Sequence, residues 1–279
     1  MRTILITGAT SGIGLTAARQ LAAAGDRLVL VGRNPAKLAV AAEQVGAAGA
    51  GAVDTLECDV SVQDSVRKLA AEVLDRYARI DVLANNAGGY FGSRSETVDG
   101  VESTFATNFL GGYLLTELLL DRLIASAPAR IVFTASVLHY GMRLDFADLG
   151  LRKGYSGQRA YSRSKVAAVL YTRALARRLA GTGVTVNAFH PGAVATGIWD
   201  SMPWFARPVL GPVKRVFMIS AEEGGERLAY LAVSPEVASV SGCYFQRDRV
   251  KEPGRGARDD AAAERLCAVS AELTGLSSP

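Results

Sequence analysis

Short apolar runs rich in Val, Ile and Leu alternate along the chain with longer segments in which apolar residues recur every three or four positions. Runs of the first kind predict buried strands, and segments of the second kind predict amphipathic helices. The predicted strands cover 3–8, 27–32, 52–60, 80–88, 129–136 and 184–192. The predicted helices cover 12–25, 34–45, 61–77, 98–125 and 159–181, and residues 254–276 predict a final helix behind a charged turn that contains glycine.

Capping residues mark several of the predicted helix ends. Asn34 and Pro35 suit the cap and the first turn of one helix. Ser61 suits the cap of the next helix, and Gly25 and Gly181 suit helix ends. Strands that alternate with helices require right-handed crossovers, which produce a parallel sheet covered on both faces. The pattern therefore predicts one α/β domain built on a doubly wound parallel sheet.

Composition and charge exclude several classes of protein. The chain has 279 residues and is 49% hydrophobic, which suits one large globular domain. A net charge of +4 is small for this length, so we expect no nucleic-acid partner. Cys58, Cys243 and Cys267 lack metal-binding spacing, so we expect reduced thiols and no metal. No apolar run reaches the length of a membrane span, and we expect a cytoplasmic protein without an integral membrane segment.

The segment TGATSGIG (7–14) places three glycines between the first predicted strand and the first predicted helix. Glycine permits a sharp turn and a close approach of the backbone to a ligand. The N-terminus of the following helix favours a bound pyrophosphate. A tight packing turn is the alternative, but the strand-to-helix position favours a dinucleotide-binding turn. Its glycines are Gly8, Gly12 and Gly14.

The end of the second predicted strand indicates which dinucleotide binds. NAD-binding folds place an acidic residue about 20 positions beyond the glycines, whereas this strand ends with Arg33 and Asn34. A guanidinium suits a 2′-phosphate, and Thr10, Ser11 and Asn34 can add hydrogen bonds. We therefore predict NADP(H) rather than NAD(H), with a solvated arginine at a strand end as the alternative reading.

Tyr161 and Lys165 lie four residues apart in a predicted helix, so their side chains share one face. A free phenol has a pKa of about 10, and a neighbouring ammonium together with an oxidised nicotinamide favours the phenolate. The pair therefore suits general acid–base catalysis, with Ser136 at the end of a predicted strand, where open α/β sheets place ligands. Taken alone, this spacing more often belongs to a solvated helix face, and the glycine turn and Ser136 favour catalysis.

Several motifs, in this order, resemble the short-chain dehydrogenase/reductase family. They are TGATSGIG (7–14), Asp59 in CDV, NNAG (85–88), Asn108 in TNFLG, Ser136, YSRSK (161–165) and HPGAVAT (190–196). Within that family, residues 176–192, 241–246 and 263–276 are similar to the retinol dehydrogenase-like branch. The resemblance implies a single Rossmann-fold domain. Its dinucleotide-binding part would span about 1–136, and its catalytic helix and substrate lid would span about 137–279.

The resemblance implies a role for each matched position. Ser136 would bind the substrate oxygen, and Tyr161 would be the general acid/base. Lys165 would contact the nicotinamide ribose and lower the tyrosine pKa, and Asn108 would hold a water molecule in a proton relay. The expected cofactor contacts, from the residues and the resemblance together, are Gly8, Thr10, Ser11, Gly12, Ile13, Gly14, Arg33, Asn34, Cys58, Asp59, Val60, Asn86, Ala87, Gly88, Tyr161, Lys165, Pro191, Gly192, Val194 and Thr196.

Two further segments are expected to shape the substrate cleft. Residues 138–158 resemble an insertion of the retinol dehydrogenase-like branch and would form one wall. Within it, Tyr155 is predicted to belong to the wall and His139 to be structural, with a substrate-side role for His139 as the alternative. The apolar segment 197–220 predicts a lid over an apolar substrate. A packed helix pair, a dimer contact or a membrane-surface contact are alternatives for it. The predicted lid residues are Trp199, Trp204 and Phe205.

These observations together predict an NADP(H)-dependent alcohol dehydrogenase or carbonyl reductase that acts on a small hydrophobic aldehyde, ketone or alcohol. One alternative is a catalytically silent NADP-binding sensor or scaffold protein. Such relatives usually lack the tyrosine or the lysine, and both are present here. Another alternative is a C=C reductase of the protochlorophyllide reductase type. We expect a homodimer or homotetramer, because helices 98–125 and 159–181 carry apolar faces of the kind this family uses to pair.

Overall fold

Eight strands form a single sheet in the computed structural model of the chain, which describes residues 1–192 and 221–277. The strands are β1 (Thr3–Thr7), β2 (Arg27–Gly32), β3 (Ala52–Glu57), β4 (Val82–Asn85), β5 (Ala129–Thr134), β6 (Val184–His190), β7 (Tyr244–Gln246) and β8 (Arg249–Lys251). Their order in the sheet is β3-β2-β1-β4-β5-β6-β7-β8. Every neighbouring pair is parallel except β7 and β8, which are antiparallel.

Helices cover both faces of this sheet. They are α1 (Gly12–Ala22), α2 (Pro35–Ala47), α3 (Gln63–Arg76), α4 (the successive segments Ser103–Phe105, Ala106–Leu110 and Gly111–Leu118), α5 (Leu120–Ala125), α6 (Gly157–Arg178), α7 (Ala221–Val233) and α8 (Asp260–Thr274). One buried cluster joins the sheet to α1, α2 and α7, and the other joins it to α3, α4, α6 and α8. Among the described residues, no helix has the length and apolar character needed to cross a membrane.

The strands β1 and β2, near the middle of the sheet, are apolar at nearly every position because both of their faces are buried. In β1, Ile4 and Ile6 pack into one cluster while Leu5, between them, packs into the other. The same alternation holds along β2, where Leu28 and Val29 enter opposite clusters. Successive side chains of a strand point to opposite faces, so a strand with helices on both sides needs apolar residues at nearly every position. The predicted doubly wound parallel sheet is confirmed, and the chain is a single-domain Rossmann fold.

The order of strands reverses between β1 and β4. From β1 the chain moves outward through β2 and β3 and then returns to β4 on the other side of β1. In open α/β sheets, ligands bind in the crevice beyond the carboxyl ends of the strands at such a reversal. The residues that follow β1, β4 and β5 therefore meet at one place.

The predicted helix 98–125 begins five residues later and is not continuous. Glu102 is 3% exposed, and its carboxylate accepts hydrogen bonds from the backbone N–H groups of Thr104 and Phe105, both at 2.8 Å. A carboxylate that satisfies these free N–H groups starts the helix at Ser103. The segment Ala106–Leu110 is a π-helical turn, and such turns are frequent at functional sites. Apolar periodicity cannot distinguish an α-helical turn from a π-helical one, so the sequence predicted a single helix.

The predicted serine cap at Ser61 is wrong, whereas the asparagine cap at Asn34 is confirmed. The N–H and the hydroxyl of Ser61 both donate to Oδ1 of Asp59, at 2.9 and 2.7 Å. The start of α3 is instead satisfied from a distant loop, since the N–H of Gln63 donates to Asp99. The Oδ1 atom of Asn34 accepts from the N–H of Lys37 at 3.0 Å. The carboxylate of Asp59, two residues before Ser61, binds the serine in place of the helix end. The helix pattern alone does not show this contact.

The C-terminal third contains elements that the alternating pattern did not predict. They are α7 and the antiparallel pair β7–β8, whose strands have three residues each and are too short to show a period. The final helix follows a charged turn within 254–276, as predicted. It begins after Asp259, which accepts from the N–H of Ala262, and ends at Gly275 in the left-handed conformation. The predicted ends at Gly25 and Gly181 each lie three residues beyond the last helical residue of α1 and α6.

Gly111 is a position where the fold depends on a missing side chain. A Cβ added there would lie well inside 3.0 Å of the carbonyl oxygen of Val60, which is backbone and cannot move cheaply. We expect Gly111→Ala to lower the free energy of unfolding by about 1–3 kcal/mol, as overpacking does. Gly46 in α2 is the matched control, because it is exposed and has nothing within 4 Å of an added Cβ. We expect Gly46→Ala to raise the free energy of unfolding by about 0.5–1 kcal/mol.

Urea denaturation followed by far-ultraviolet circular dichroism measures both effects. Opposite signs for the two helix glycines are the expected result. Equal changes in the two variants would show that helix propensity, rather than the approach of α4 to Val60, decides the outcome.

Candidate active site

The turn between β1 and α1 forms a cradle made of backbone. Gly8 and Gly12 have positive φ angles of 68° and 54°, a region that favours glycine. A Cβ at Gly8 would lie 2.8 Å from Cα of Ala87, and one at Gly14 would clash with the carbonyl oxygen of Gly8. The side chain of Ser11 makes no capping hydrogen bond at the N-terminus of α1. This close-packed turn before a helix N-terminus fits a pyrophosphate group, as predicted for a dinucleotide.

A hydroxyl and an amide hold the ends of three strands together beside this cradle. Oγ1 of Thr7, in β1, accepts from the N–H groups of Asn86 and Ala87, both at 3.0 Å. Nδ2 of Asn86 donates back to the carbonyl oxygen of Thr7 at 3.0 Å. Oδ1 of Asn86 accepts from the hydroxyl of Thr134, at the end of β5, at 3.2 Å. These bonds set the distance between the glycine turn and the strand that leads to Ser136.

Three of the expected cofactor contacts follow β3, namely Cys58, Asp59 and Val60. The N–H of Cys58 donates to the carbonyl oxygen of Gly32 at 2.9 Å, which extends the pairing with β2. Burial raises the pKa of the Cys58 thiol to about 11, so this thiol is protonated at neutral pH. Asp59 uses Oδ1 to bind Ser61, and its N–H donates to the hydroxyl of Ser65 at 3.0 Å. Val60 follows in the same turn, partly buried under α4.

Thr10, Arg33 and Asn34 lie together at the ends of β1 and β2. A Cβ at Gly32 would lie 2.7 Å from Cγ2 of Thr10, so Thr10 packs directly on the end of β2. Arg33 is exposed, and it has no ion pair or hydrogen bond with any other residue in the described part of the chain. Oδ1 of Asn34 is occupied by the cap of α2, which leaves its NH₂ group for a ligand.

Lys165 is almost fully buried at the bottom of the cleft. Lys165 is 3% exposed, and its Nζ atom donates to the carbonyl oxygen of Thr134 at 2.8 Å. Nζ lies 5.4 Å from the centre of the Tyr161 ring. Burial lowers the pKa of Lys165 to about 8, because the low-dielectric interior disfavours the ammonium. The helical spacing therefore places both side chains in one cleft, as predicted.

The phenol of Tyr161 lies beside the hydroxyl of Ser136. Burial raises the pKa of Tyr161 above its ordinary value of 10, and the nearby hydroxyl of Ser136 opposes this rise. The phenol is therefore protonated at neutral pH in this structure. Lowering of its pKa by Lys165 and an oxidised nicotinamide stays a prediction.

Ser136 is held at the start of a short turn after β5. It is 6% exposed and caps the 3₁₀ turn Val137–His139, where its Oγ accepts from the N–H of Leu138 at 3.3 Å. Its hydroxyl hydrogen is left to be donated elsewhere. Leu138 is 39% exposed, so it presents an apolar surface next to the serine.

Asn108 lies in the π-helical turn of α4 and binds the backbone that follows β4. Its Oδ1 accepts from the N–H of Gly89 at 2.7 Å, and its Nδ2 donates to the carbonyl oxygen of Gly89 at 2.9 Å. Nδ2 also donates to the hydroxyl of Ser164 at 3.1 Å, one residue before Lys165. A Cβ at Gly88 would lie 3.1 Å from Oδ1 of Asn108 and 3.7 Å from Nζ of Lys165. Asn108 is thus adjacent to the cluster, and its role in a proton relay stays a prediction.

The insertion between Ser136 and Tyr161 is fastened at several points. The hydroxyl of Tyr155 donates to the carbonyl oxygen of Phe91 at 3.0 Å, which agrees with its predicted place in the wall. Arg163, in α6, donates to the carbonyl oxygen of Asp148 at 2.7 Å. These contacts make the insertion a fixed part of the cleft.

The last stretch of expected cofactor contacts, which begins at Pro191, is described only at its start. Pro191 is buried, and its carbonyl oxygen accepts from Nη1 of Arg227, in α7, at 2.6 Å. Gly192 follows with a φ of 106°. The remaining predicted residues lie outside the described part of the chain. They are Val194 and Thr196, and the lid residues Trp199, Trp204 and Phe205.

Three residues that support the site were not singled out from the sequence. Thr7 and Thr134 end the strands β1 and β5, and Glu102 caps α4. A threonine at the carboxyl end of a buried strand, directly before a predicted ligand turn, is a signal that could have identified the first two. Glu102 had no such signal, because its burial depends on how the loop before α4 folds.

Comparisons with known proteins agree with this geometry. The family model described as short chain dehydrogenase matches residues 2–203. Retinol dehydrogenase 13 of Homo sapiens is 41% identical over 286 residues, covering 100% of this chain and 86% of that protein. The Pseudomonas aeruginosa RhlG/NADP active-site complex is similar with a TM-score of 0.72 and 26% identity, covering 92% of this chain and 96% of that chain.

A solved actinorhodin polyketide ketoreductase variant with NADPH is similar to the same extent. Its TM-score is 0.70 and its identity is 28%, with 92% of this chain and 98% of that chain covered. The chain therefore belongs to the short-chain dehydrogenase/reductase family of oxidoreductases, in its retinol dehydrogenase-like branch.

Proposed function

We propose that the protein is an NADP(H)-dependent alcohol dehydrogenase or carbonyl reductase. The observation that carries this proposal is the place of the Tyr161 phenol, beside Ser136 and with its ring centre 5.4 Å from Nζ of the buried Lys165. A phenol and a hydroxyl that lie this close together can both reach a single substrate oxygen. The silent-binder alternative gives no reason to keep an ammonium buried at a cost in stability.

The residues of the cleft have distinct tasks in this reaction. NADP(H), when bound, supplies the hydride for reduction or accepts it in oxidation. Ser136 donates a hydrogen bond to the carbonyl oxygen and orients it. Tyr161 donates its proton to the same oxygen during reduction and removes it during oxidation. Lys165, when protonated, favours the phenolate that Tyr161 becomes after it donates.

The proposed cofactor preference rests on the end of β2. Arg33 is exposed there, without a partner among the described residues, and no acidic residue follows the strand directly. A guanidinium binds a phosphate with paired, charge-assisted hydrogen bonds. Two of the similar solved structures, RhlG and the actinorhodin ketoreductase, are complexes with NADP or NADPH.

The proposed substrates are hydrophobic aldehydes, ketones or alcohols. The names of the relatives refer to retinol and to a polyketide, which are a hydrophobic alcohol and a ketone class. Leu138, in the turn that Ser136 caps, is 39% exposed and adds apolar surface near the serine. Apolar walls with a few polar groups are typical of sites for such ligands.

The test is a turnover assay on the purified protein. We would mix it with NADPH, and separately with NADH, against hydrophobic aldehydes and ketones, and follow the absorbance of the reduced nicotinamide. We expect a ketone or aldehyde to speed the oxidation of NADPH more than that of NADH. Tight NADPH binding without turnover on any of them would favour the sensor alternative. Reduction of a conjugated C=C bond would favour the alternative of a C=C reductase of the protochlorophyllide reductase type.

Arg33 makes the cofactor preference testable by itself. We expect Arg33→Ala to raise the Kd for NADPH by about 10- to 100-fold, because hydrogen bonds to charged groups contribute about 1.5–3 kcal/mol. The Kd for NADH should stay within about threefold, since NADH lacks the 2′-phosphate. Fluorescence of the bound nicotinamide measures both constants. The control is Arg19→Ala, which removes an exposed arginine at the other end of α1. Equal weakening of both cofactors by Arg33→Ala would contradict the proposed phosphate contact.

A further inference from the structure

His139 lies three residues after the catalytic serine and is completely buried, with 0% of its surface exposed. Its ring lies between two tyrosine rings. The centre of the Tyr140 ring is 4.3 Å away, and that of Tyr244, in β7, is 4.5 Å away. The imidazole therefore touches neither solvent nor the cleft, and its polar atoms need partners inside the protein.

Both ring nitrogens have such partners, and the partners define the tautomer. Nε2 lies 3.0 Å from the backbone nitrogen of Gly254, which can only donate, so Nε2 is the unprotonated acceptor. The proton is consequently on Nδ1, which lies 2.6 Å from the carbonyl oxygen of Ser136 and donates to it. Burial also lowers the pKa of His139, which keeps the ring neutral.

This arrangement controls the peptide group that follows Ser136. The carbonyl oxygen of Ser136 accepts two hydrogen bonds, one from Nδ1 and one from the backbone N–H of His139 at 3.2 Å. The Oγ atom of Ser136 accepts from the N–H of Leu138, inside the same turn. If the peptide group rotated, the N–H of Leu138 and the direction of the serine hydroxyl would change with it.

The other end of the imidazole is attached to a segment far away in the sequence. Gly254 follows β8, and a Cβ there would lie 3.1 Å from Cα of Tyr140. The hydroxyl of Tyr140 donates to the carbonyl oxygen of Glu252 at 2.9 Å, so the two segments are also joined beside the ring. The serine turn is thus supported by the C-terminal part of the sheet.

We propose that His139 is a positioning residue that aims the Ser136 hydroxyl at the substrate oxygen by holding the turn between the serine and Gly254. This inference rests on the proposed function, because it explains how Ser136, a residue of that mechanism, is held in position. His139 transfers no proton itself, because both of its nitrogens are occupied and buried.

Two amide substitutions separate the two hydrogen bonds. The Nδ2 group of asparagine replaces Nδ1, so His139→Asn keeps the donor to Ser136 and loses the acceptor for Gly254. The Oε1 atom of glutamine replaces Nε2, so His139→Gln keeps the acceptor and loses the donor. We expect His139→Gln to lower kcat by about tenfold or more, because small displacements of a positioned group reduce rates strongly. The KM for the carbonyl substrate should change little, and the loss of kcat in His139→Asn should be several-fold smaller.

A double-substitution series tests whether His139 acts through Ser136. In a Ser136→Ala background, His139→Gln should lower kcat by no more than about twofold, because no hydroxyl remains to be aimed. The control is Tyr140→Phe, which loosens the same contact with the C-terminal segment without touching the serine. The same loss of kcat with and without the Ser136 hydroxyl, or a loss in Tyr140→Phe equal to that in His139→Gln, would overturn the proposal.

A measurement without substrate separates this proposal from the proposed function. Nitrogen-15 NMR of the imidazole should show a protonated Nδ1 and an unprotonated Nε2. The Cβ signal of Ser136 should move in His139→Gln and stay in place in His139→Asn. An Nε2-protonated ring, or an unchanged serine signal in both variants, would overturn the inference. If the wild-type protein turned over no carbonyl compound, the proposed function would fail while these signals still decided the role of His139.

Discussion

Tyr161→Phe is expected to lower kcat by about 10²–10⁴-fold, the contribution of a positioned general acid or base. The phenol is the proton donor of the proposed reaction, and it lies beside Ser136 and within 5.4 Å, ring centre to Nζ, of Lys165. The substitution removes one oxygen from a partly buried residue of α6, so the fold and the glycine turn should persist. The Kd for NADPH should therefore change by no more than about threefold, as expected for loss of an interaction made in the transition state.

Steady-state kinetics with NADPH and the best carbonyl substrate measure kcat, and nicotinamide fluorescence measures binding. Tyr155→Phe is the matched variant, because Tyr155 is a second phenol in the wall of the cleft. Its hydroxyl donates to the carbonyl oxygen of Phe91 and lies 3.2 Å from that of Thr104, so its removal should affect stability more than kcat. A larger loss of kcat in Tyr155→Phe than in Tyr161→Phe would show that Tyr155, and not Tyr161, is the general acid.

Lys165→Met is expected to separate activity from stability. Without the ammonium, the phenolate of Tyr161 loses its nearest positive charge, and we expect kcat to fall by about 10²-fold. At pH 7 the lysine is protonated in both the folded and the unfolded state, and burial makes that charge unfavourable in the folded state. The substitution replaces it with an apolar side chain of similar length, so the variant should be at least as stable as the wild type at pH 7, apart from the lost bond to Thr134.

The pKa of Lys165 also determines the direction of a pH effect. Its folded-state pKa is about 8, against an ordinary value of 10.5. Between these values the unfolded state binds more protons than the folded state, so the lysine makes stability rise with pH. From pH 8 to 10.5 we expect the free energy of unfolding of the wild type to gain up to about 3 kcal/mol relative to Lys165→Met.

Urea denaturation at several pH values measures this difference. Groups far from Lys165 also titrate in this range, but they do so alike in both proteins and cancel in the comparison. Lys37→Met, at an exposed position in α2, is the control and should show no such pH-dependent difference. Parallel stability curves for the wild type and Lys165→Met would show that Lys165 has an ordinary pKa in the folded protein.

The sequence determined the order of strands and helices from β1 to β6 and the location of the cleft. A strand buried on both faces must be apolar at nearly every position, so β1, β2 and β6 were visible as short apolar runs. The glycine turn was recognisable because Gly8 needs a positive φ and Gly14 leaves no space for a side chain. The spacing of Tyr161 and Lys165 was sufficient to place both on one helix face.

The tertiary structure decided which polar groups support these residues. Glu102 caps α4 because a loop buries its carboxylate against Thr104 and Phe105, and the π-helical turn after it directs Asn108 to Gly89. Hydrogen bonds between residues distant in sequence depend on distances and angles that only the folded chain defines, whereas apolar periodicity depends on neighbours.

His139 shows the same contrast between what the sequence determined and what the tertiary structure decided. Its position after Ser136 was visible in the sequence, but its partner Gly254 is 115 residues away, in a segment whose short strands have no recognisable period. The burial that makes the ring neutral, and the backbone N–H that selects its tautomer, exist only once β7 and β8 have joined the sheet. The sequence therefore determined which residues carry the chemistry, and the fold determined how they are held, because a hydrogen bond between distant segments requires both to be in place.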